Sequence, residues 1–241
     1  MLNNRLRGIK NMIPHGTKFV LDVGTDHSYL PITLIQEEIA SYVIASDISV
    51  FPLEDANENI RKHGLEECIE TRLGDGLQVL NENEYPDLVV IAGVSGEGIV
   101  KILQEGYNKL EFDPILVLQA MEDSYSLRKY LLEIGYNFDK EVLISDKKRY
   151  YQIIRSIREK GYKNYSKLEL EYGPQILKNP TKTLKEFLEK ELAKINRVIN
   201  NVNRSSSKDD EIIDKKNKFV KRYHDLQEVY RNAFSHEKRY H

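Results

Sequence analysis

The sequence lacks several features that would place it in common protein classes. It has one cysteine, Cys68, and no tryptophan in 241 residues, so no internal disulfide can form. No apolar run approaches the ~18 residues that a membrane span requires, and residues 1–5 lack the apolar core of a secretory signal peptide. No cluster of Cys and His has metal-ligand spacing. These absences predict a cytoplasmic protein that contains no metal.

The charges nearly balance overall but are unevenly distributed along the chain. The formal net charge is −2, and 40% of the residues are apolar, which is enough for a packed core. Residues 1–160 contain 18 Lys and Arg against 26 Asp and Glu, whereas residues 161–241 contain 18 against 12. The basic C-terminal region is either a solvated helical face or an arm that binds a polyanion.

The most informative segment runs from Phe19 to His27 and reads Phe-Val-Leu-Asp-Val-Gly-Thr-Asp-His. This pattern predicts a buried strand, an acidic residue and a turn with one glycine before a helix. A dinucleotide would need a Gly-x-Gly-x-x-Gly loop without acids, because its pyrophosphate binds backbone N–H groups. S-adenosylmethionine instead carries an ammonium and a sulfonium, which suit carboxylates. The segment therefore indicates a methyltransferase.

Apolar strands alternate with helical segments through the first two thirds of the chain. This pattern predicts a mostly parallel sheet that helices cover on both faces, as in a Rossmann-like class I methyltransferase of the α/β class. The last two strands are expected to form an antiparallel pair, which gives seven strands. The predicted strands are 19–23, 41–47, 69–73, 88–92, 115–119, 138–145 and 150–157. The predicted helices are 2–13, 27–38, 54–63, 76–82, 96–106 and 126–134.

Candidate ligand-binding residues follow the carboxyl ends of the first four strands, where a doubly wound sheet binds its ligand. Asp47 is placed to accept hydrogen bonds from ribose hydroxyls, and Asp75 to accept one from the adenine amine. NAD is the rival ligand for Asp47, but it would need glycines in the first loop. Asp75 could equally be a helix cap. The predicted cofactor-binding residues are Asp22, Gly24, Asp26, His27, Asp47, Ile48, Asp75, Gly76, Ala92 and Gly93.

The region after Pro180 has a different pattern. Two apolar stripes with spacings of three and four residues predict a helical hairpin, packed as an antiparallel coiled coil, with a turn at 205–209. The stripes comprise Leu184, Leu188, Leu192, Ile195, Ile199 and Val202, and then Ile212, Phe219, Tyr223, Leu226, Tyr230 and Ala233. The expected domains are therefore a methyltransferase domain at 1–160, with a leading helix, and a linker with the hairpin at 161–241.

Residues 22–31, Asp-Val-Gly-Thr-Asp-His-Ser-Tyr-Leu-Pro, resemble the Asp-Ile-Gly-Ser-Asp-His-Ala-Tyr-Leu-Pro signature of the bacterial TrmK family. Residues 72–77 and 91–93 are also similar to that family, as is the order of leading helix, sheet domain and coiled-coil tail. The resemblance implies a tRNA methyltransferase that acts on N1 of the adenine at position 22. Two loops depart from the family pattern, at Gly93–Gly96 instead of Gly-Met-Gly-Gly and at Leu118–Ala120 instead of Leu-Gln-Pro.

Two residues are candidates for a catalytic role. Asp26 would stabilise the positive charge that develops on the adenine, and Tyr29 would stack on the base or donate a hydrogen bond to it. Core packing is the alternative for Tyr29, and capping or packing is the alternative for His27. Candidate RNA-binding residues are Arg5, Arg7, Lys10, Lys215, Lys216, Lys218, Lys221 and Arg222.

Three functions remain open on the sequence. The first is the S-adenosylmethionine-dependent tRNA methyltransferase, as a monomer or weak dimer. The second is an RNA-binding homologue with weak or altered activity. The third is a class I methyltransferase that acts on a small molecule or a protein, with the coiled coil as a dimerisation element.

Overall fold

The computed structural model describes residues 2–161, 163–204 and 210–235. It divides into two compact units, Met1–Glu171 and Tyr172–His241. The first unit extends to Glu171 because the buried Arg128 donates to Glu141 Oε1 at 2.6 Å and to Leu170 O at 2.9 Å. The boundary between a methyltransferase domain and a C-terminal domain, expected after residue 160, stays a prediction.

Seven strands form one sheet, which confirms the predicted fold class. The strand order is β3-β2-β1-β4-β5-β7-β6. Neighbouring strands from β3 to β5 are parallel, and β7 is antiparallel to both β5 and β6. The strands are β1 (Thr17–Val23), β2 (Ala40–Asp47), β3 (Ile69–Leu73), β4 (Leu88–Val94), β5 (Ile115–Ala120), β6 (Tyr136–Asp146) and β7 (Arg149–Arg158).

Helices flank the sheet and differ from the predicted ones mainly at their ends. The helices of the first unit are α1 (Asn4–Lys10), α2 (Tyr29–Gln36), α3 (Val50–Lys62), α4 (Gly96–Glu105), α5 (Ser124–Glu133) and α6 (Lys167–Tyr172), the last of which ends at the unit boundary. Short 3₁₀ helices lie at Gly76–Val79 and Tyr107–Leu110. The helix predicted at 76–82 is therefore a single 3₁₀ turn.

Two helix starts differ for identifiable reasons. α3 begins at Val50, four residues before the predicted start, because Pro52 falls in its first turn, where a missing N–H costs nothing. α2 begins at Tyr29 instead of His27, because Asp26 and Ser28 have positive φ values of 54° and 55°. A left-handed residue cannot continue a right-handed helix.

Both faces of the sheet are buried, as the continuous apolar strands predict. Successive residues of β1 point to opposite faces, so Val20 and Leu21 belong to different core clusters. Val20 packs in the cluster that contains Ile9 of α1, and Leu21 packs in the one that contains Ile99 of α4. The sheet is thus fixed between α1–α3 on one face and α4–α5 on the other.

Helix α1 lies close against the antiparallel end of the sheet. A Cβ on Gly8 would lie 2.7 Å from Ile153 Cδ1 and 3.0 Å from Ile144 Cδ1, so a larger residue here would displace the ends of these two side chains. Arg155 Nη1 also donates to Met12 O at 3.1 Å. These contacts hold α1 in place and direct its Arg5 toward the ends of β4 and β5.

The second unit contains a short helix, α7 (Pro174–Lys178), and two long ones, α8 (Lys182–Arg204) and α9 (Asp210–Phe234). Tyr230 donates to Glu189 Oε1 at 3.1 Å, and Lys185 Nζ lies 5.7 Å from the Phe234 ring centroid. Because the residue numbers rise in one helix as they fall in the other, the pair is antiparallel, which confirms the hairpin. Its coiled-coil packing stays a prediction, and the turn predicted at 205–209 lies outside the described residues.

Candidate functional site

The strand order places the candidate site at the carboxyl ends of β1 and β4. These strands are neighbours in the sheet, and the chain leaves them in opposite directions, toward β2 and toward β5. A crevice opens at such a switch point because the two connecting helices lie on opposite faces. Here it has a volume of about 390 Å³, and we call it the strand-end cleft. Its lining includes Arg5, Gly24, Asp26, Asp47, Ile48, Asp75, Gly76, Ala92 and Gly93.

A smaller pocket adjoins the cleft and shares four of its lining residues, Arg5, Gly24, Asp26 and Ala92. We call it the Asp22 pocket. Its further lining residues are Leu6, Asp22, Thr25, His27, Tyr29 and Leu30. The ten predicted cofactor-binding residues therefore all lie in the strand-end cleft or in the Asp22 pocket.

Asp22 is an ionisable group at the centre of the sheet. Its residue is only 5% exposed, and burial raises the pKa of its carboxyl to about 6. A hydrogen bond from Thr25 and the positive charge of Arg5 both act to lower that pKa, whereas the charge of Asp47 raises it. Burial of a carboxylate is costly unless a cation or donors compensate it. The Asp22 pocket is therefore suited to a cationic ligand.

Asp47 and Asp75 lie on the strand-end cleft at the ends of β2 and β3. Asp47 Oδ1 accepts a hydrogen bond from Ser49 N at 2.9 Å, which fixes the loop before α3. Asp75 stands at the N-cap position of the Gly76–Val79 turn, but within the described chain its side chain makes no capping hydrogen bond. The capping alternative for Asp75 is therefore not realised. Ile48, at 68% exposed, adds an apolar surface to the cleft.

Asp26 is held in a strained loop next to a histidine. His27 Nε2 lies 3.6 Å from Asp26 Oδ1, and His27 Nδ1 lies 3.4 Å from Asp55 Oδ2 on α3. Asn59 of the same helix donates to His27 O at 3.1 Å. His27 thus lies between Asp26 and α3, and its backbone is bound to that helix through Asn59.

Tyr29 opens α2 and is 50% exposed, so the core-packing alternative does not apply to it. Its ring centroid lies 5.4 Å from that of His27, with the planes tilted by 41°. It lines the Asp22 pocket together with Asp26. An exposed aromatic ring in this position can stack on a planar group that enters the pocket.

Arg5, a candidate RNA-binding residue, lies at the candidate site. It is half-buried, and its Nη1 donates to Gln119 Oε1 at 2.8 Å. A Cβ on Gly93 would lie 3.2 Å from this Nη1. Arg5 therefore lines both the cleft and the Asp22 pocket. Sequence reasoning missed the contact between Arg5 and Gln119, because 114 residues separate the two.

The other candidate RNA-binding residues are divided between the two units. Arg7 and Lys10 lie on α1, where Lys10 Nζ contacts Glu37 Oε2 at 2.6 Å. The basic residues of the second unit lie along α9. Lys218 pairs with Asp214 at 2.8 Å, and the Arg222 guanidinium lies 5.4 Å from the Tyr172 ring centroid.

The described residues contain neither a cluster of metal ligands nor a membrane-spanning helix. Within 2–161, 163–204 and 210–235, no three or more His, Cys, Asp or Glu side chains are grouped to hold a metal ion. No helix in those ranges has the length and apolar character to cross a bilayer.

Comparison with known proteins gives a consistent family. The TrmK family model, described as tRNA (adenine(22)-N(1))-methyltransferase, matches residues 20–227. The Bacillus subtilis tRNA (adenine(22)-N(1))-methyltransferase is 33% identical over 153 residues, which are 64% of this chain and 63% of that protein, or just under two thirds of its length.

Solved structures agree over almost the whole chain. A Streptococcus pneumoniae protein in complex with S-adenosyl-L-methionine superimposes with a TM-score of 0.84 at 27% identity, covering 95% of this chain and 100% of that one. TrmK of M. capricolum in complex with S-adenosyl-homocysteine superimposes with a TM-score of 0.77 at 28% identity, covering 94% of this chain and 99% of that one.

Proposed function

Because this chain belongs to the TrmK family of tRNA (adenine(22)-N(1))-methyltransferases, we propose that it transfers a methyl group from S-adenosylmethionine to N1 of adenine 22 in tRNA. The observation that carries this proposal is the placement of three carboxylates at three strand ends, with Asp47 and Asp75 in the strand-end cleft and Asp22 in the pocket that adjoins it. Such a set of acceptors matches the ammonium, ribose and adenine amine of that cofactor. A tRNA substrate also favours a cytoplasmic location.

The residues present fit the cofactor. Burial raises the pKa of the Asp22 carboxyl because its negative charge is poorly solvated. The ammonium of the cofactor, facing this carboxylate, would compensate that charge. Asp47 accepts from ribose hydroxyls, and the Asp75 carboxylate accepts from the adenine N6 amine. Ile48, Ala92 and Gly93 supply apolar surface and close backbone approach for the adenosine. His27 lines only the Asp22 pocket, so we assign it to holding Asp26.

The reaction is a substitution at a methyl carbon. The bound cofactor supplies a methyl group on a positively charged sulfur. The adenine N1 lone pair forms the new N–C bond while the S–C bond breaks and its electrons return to sulfur. The methylated adenine is a cation until N6 releases a proton to solvent. Positioning is the main task, because an unprotonated N1 is already nucleophilic.

Asp26 and Tyr29 are the residues that we assign to the acceptor base. N1 lies on the Watson–Crick edge, so a paired adenine must first leave its helix. Tyr29 then offers its exposed ring for stacking, and Asp26 stabilises the positive charge that develops on the base. His27 and Asp55 are positioning residues, because they act through Asp26.

Incubation of the purified protein with labelled S-adenosylmethionine separates the three functions that the sequence leaves open. We expect label in bulk tRNA that lacks the modification, and none in protein or small-molecule fractions. Binding of tRNA without transfer would favour the weak homologue, and its cause would be sought in the loops at Gly93–Gly96 and Leu118–Ala120. Label outside RNA, together with a stable dimer on gel filtration in place of the proposed monomer or weak dimer, would favour the third function.

A further inference from the structure

A second concave surface adjoins the Asp22 pocket within the first unit. It lies between α1 and α2 and has a volume of about 410 Å³, within the roughly 300–1,000 Å³ of small-ligand sites. We call it the α1–α2 groove. Tyr29 lines both the groove and the Asp22 pocket, so the two are continuous along one aromatic side chain. The polar and aromatic residues that line it include Arg7, Lys10, Tyr29, Gln36 and Glu37.

The charges of the groove suit an anion. Among the described residues that line it, Glu37 is the one carboxylate, and Lys10 Nζ neutralises it at 2.6 Å. Arg7 is exposed and adds an uncompensated positive charge at the groove. A guanidinium has five N–H donors in a geometry that matches a phosphate group. Arg7 gives one of them to Leu2 O at 3.3 Å.

The remaining lining suits the other parts of a nucleotide. Tyr29 is half exposed and gives the groove an aromatic wall on which a base can lie. Gln36 is exposed at the end of α2, where its amide can bond a base edge or a ribose 2′-hydroxyl. Phosphate, base and hydroxyl partners are thus present in one groove beside the proposed acceptor site.

We propose that the α1–α2 groove binds the nucleotide that neighbours the target adenine in the tRNA chain. This inference rests on the proposed function. When the target adenine turns into the Asp22 pocket, the covalently attached neighbour must leave along the wall of that pocket, and Tyr29 forms this wall. Binding the neighbour in the groove would hold the backbone in its distorted form, which makes the extrusion of the base less costly.

The test compares two identical changes at exposed arginines, Arg7→Gln in the groove and Arg61→Gln on α3 outside its lining. We expect Arg7→Gln to raise the KM for a tRNA transcript about tenfold and to lower the salt slope of tRNA binding by about one, because one phosphate contact is lost. The Kd for S-adenosylmethionine should stay within twofold of wild type. Arg61→Gln should change none of these values.

A second pair of variants tests the groove through charge addition on an exposed side chain. Gln36→Glu should weaken tRNA binding several-fold more than Gln36→Met, because only the acidic side chain repels a phosphate. The inference is overturned if Arg7→Gln matches Arg61→Gln, or if Gln36→Glu matches Gln36→Met, while the wild type methylates tRNA. A wild type that binds the cofactor but methylates no tRNA would instead overturn the proposed function.

Discussion

Arg5 Nη1 donates a hydrogen bond to Gln119 Oε1 at 2.8 Å, which joins the first helix to the end of β5. Gln119 is fully buried, and its Nε2 donates to Ala120 O at 2.7 Å, so its orientation is fixed. The positive charge of Arg5 is thereby held where it lowers the pKa of Asp22. The leading helix is thus part of the proposed cofactor site.

Cofactor binding should depend on pH through Asp22. In the free protein its pKa is raised to about 6, so Asp22 is ionised at pH 7 and mostly protonated at pH 5. Only the carboxylate pairs with the cofactor's ammonium, and bound cofactor therefore lowers this pKa. We expect the affinity measured by calorimetry to fall about tenfold between pH 7 and pH 5. A pH-independent affinity would contradict the pairing.

Arg5→Gln provides the matched test of this electrostatic account. Removing the positive charge raises the pKa of Asp22 further, so the midpoint of the pH dependence should move above 6. Lys10→Gln, a charge removal on the same helix, should leave the midpoint unchanged because Lys10 pairs with Glu37. Equal midpoints in the two variants would show that Arg5 does not act on Asp22.

Asp47→Ala should weaken S-adenosylmethionine binding by about 1–3 kcal/mol, because it removes the acceptor for the ribose hydroxyls. Asp47→Asn keeps an oxygen that can accept from Ser49 N, so it should weaken binding less. Glu54→Ala, on the neighbouring helix, is the control. If Asp47→Ala bound the cofactor with unchanged affinity, the end of β2 would not contribute to the cofactor site.

Asp26→Asn should lower kcat far more than it changes cofactor affinity, since its role concerns charge that develops during transfer. Asp55→Asn should lower kcat by a smaller factor, because it acts on Asp26 through His27. Asp55→Glu should restore part of that loss, and Glu54→Gln should have no effect. If Asp26→Asn kept full turnover at saturating tRNA, Asp26 would not stabilise the developing charge, and positioning of N1 against the methyl group would be sufficient for the reaction.

The basic face of α9 should contribute to tRNA binding. Replacing Lys215, Lys218 and Lys221 by Gln should weaken binding and reduce the slope of log affinity against log salt by up to about three. Replacing Lys182 and Lys194 of α8 in the same way is the control. Filter binding between 50 and 200 mM salt measures the slope of log tRNA affinity against log salt concentration. If both variants keep the wild-type slope, the basic residues of the hairpin are only solvated and do not contact tRNA. Cofactor binding should be unaffected in either variant.

Local pattern was sufficient for most of the fold. The alternation of apolar strands and helices predicted seven strands, and Ile69–Leu73 has the predicted bounds. Helix ends were less accurate, because Pro52 and the positive φ of Ser28 depend on how the chain turns into each helix. The α6 and α7 helices were not predicted, since each is only five or six residues long.

The candidate site was predictable from the sequence at those positions where an acidic residue directly follows an apolar strand. Asp22, Asp47 and Asp75 each follow an apolar run, and a parallel sheet brings such residues to one edge. The Arg5–Gln119 contact and the Asp55–His27–Asp26 arrangement join distant segments, so no local spacing could indicate them. The same holds for the α1–α2 groove, which depends on the packing of two helices.

Transfer of a methyl group to N1 of adenine 22, the activity that we propose for this chain, can be tested with a single pair of tRNA transcripts. A tRNA transcript with adenine 22 and an otherwise identical transcript with guanine 22 are incubated with the protein and S-adenosylmethionine. Reverse transcription then maps any block to Watson–Crick pairing, and mass spectrometry identifies the methylated nucleoside. The account predicts a block at position 22 and N1-methyladenosine in the first transcript only. Equal methylation of both transcripts, or a block at another position, would contradict it.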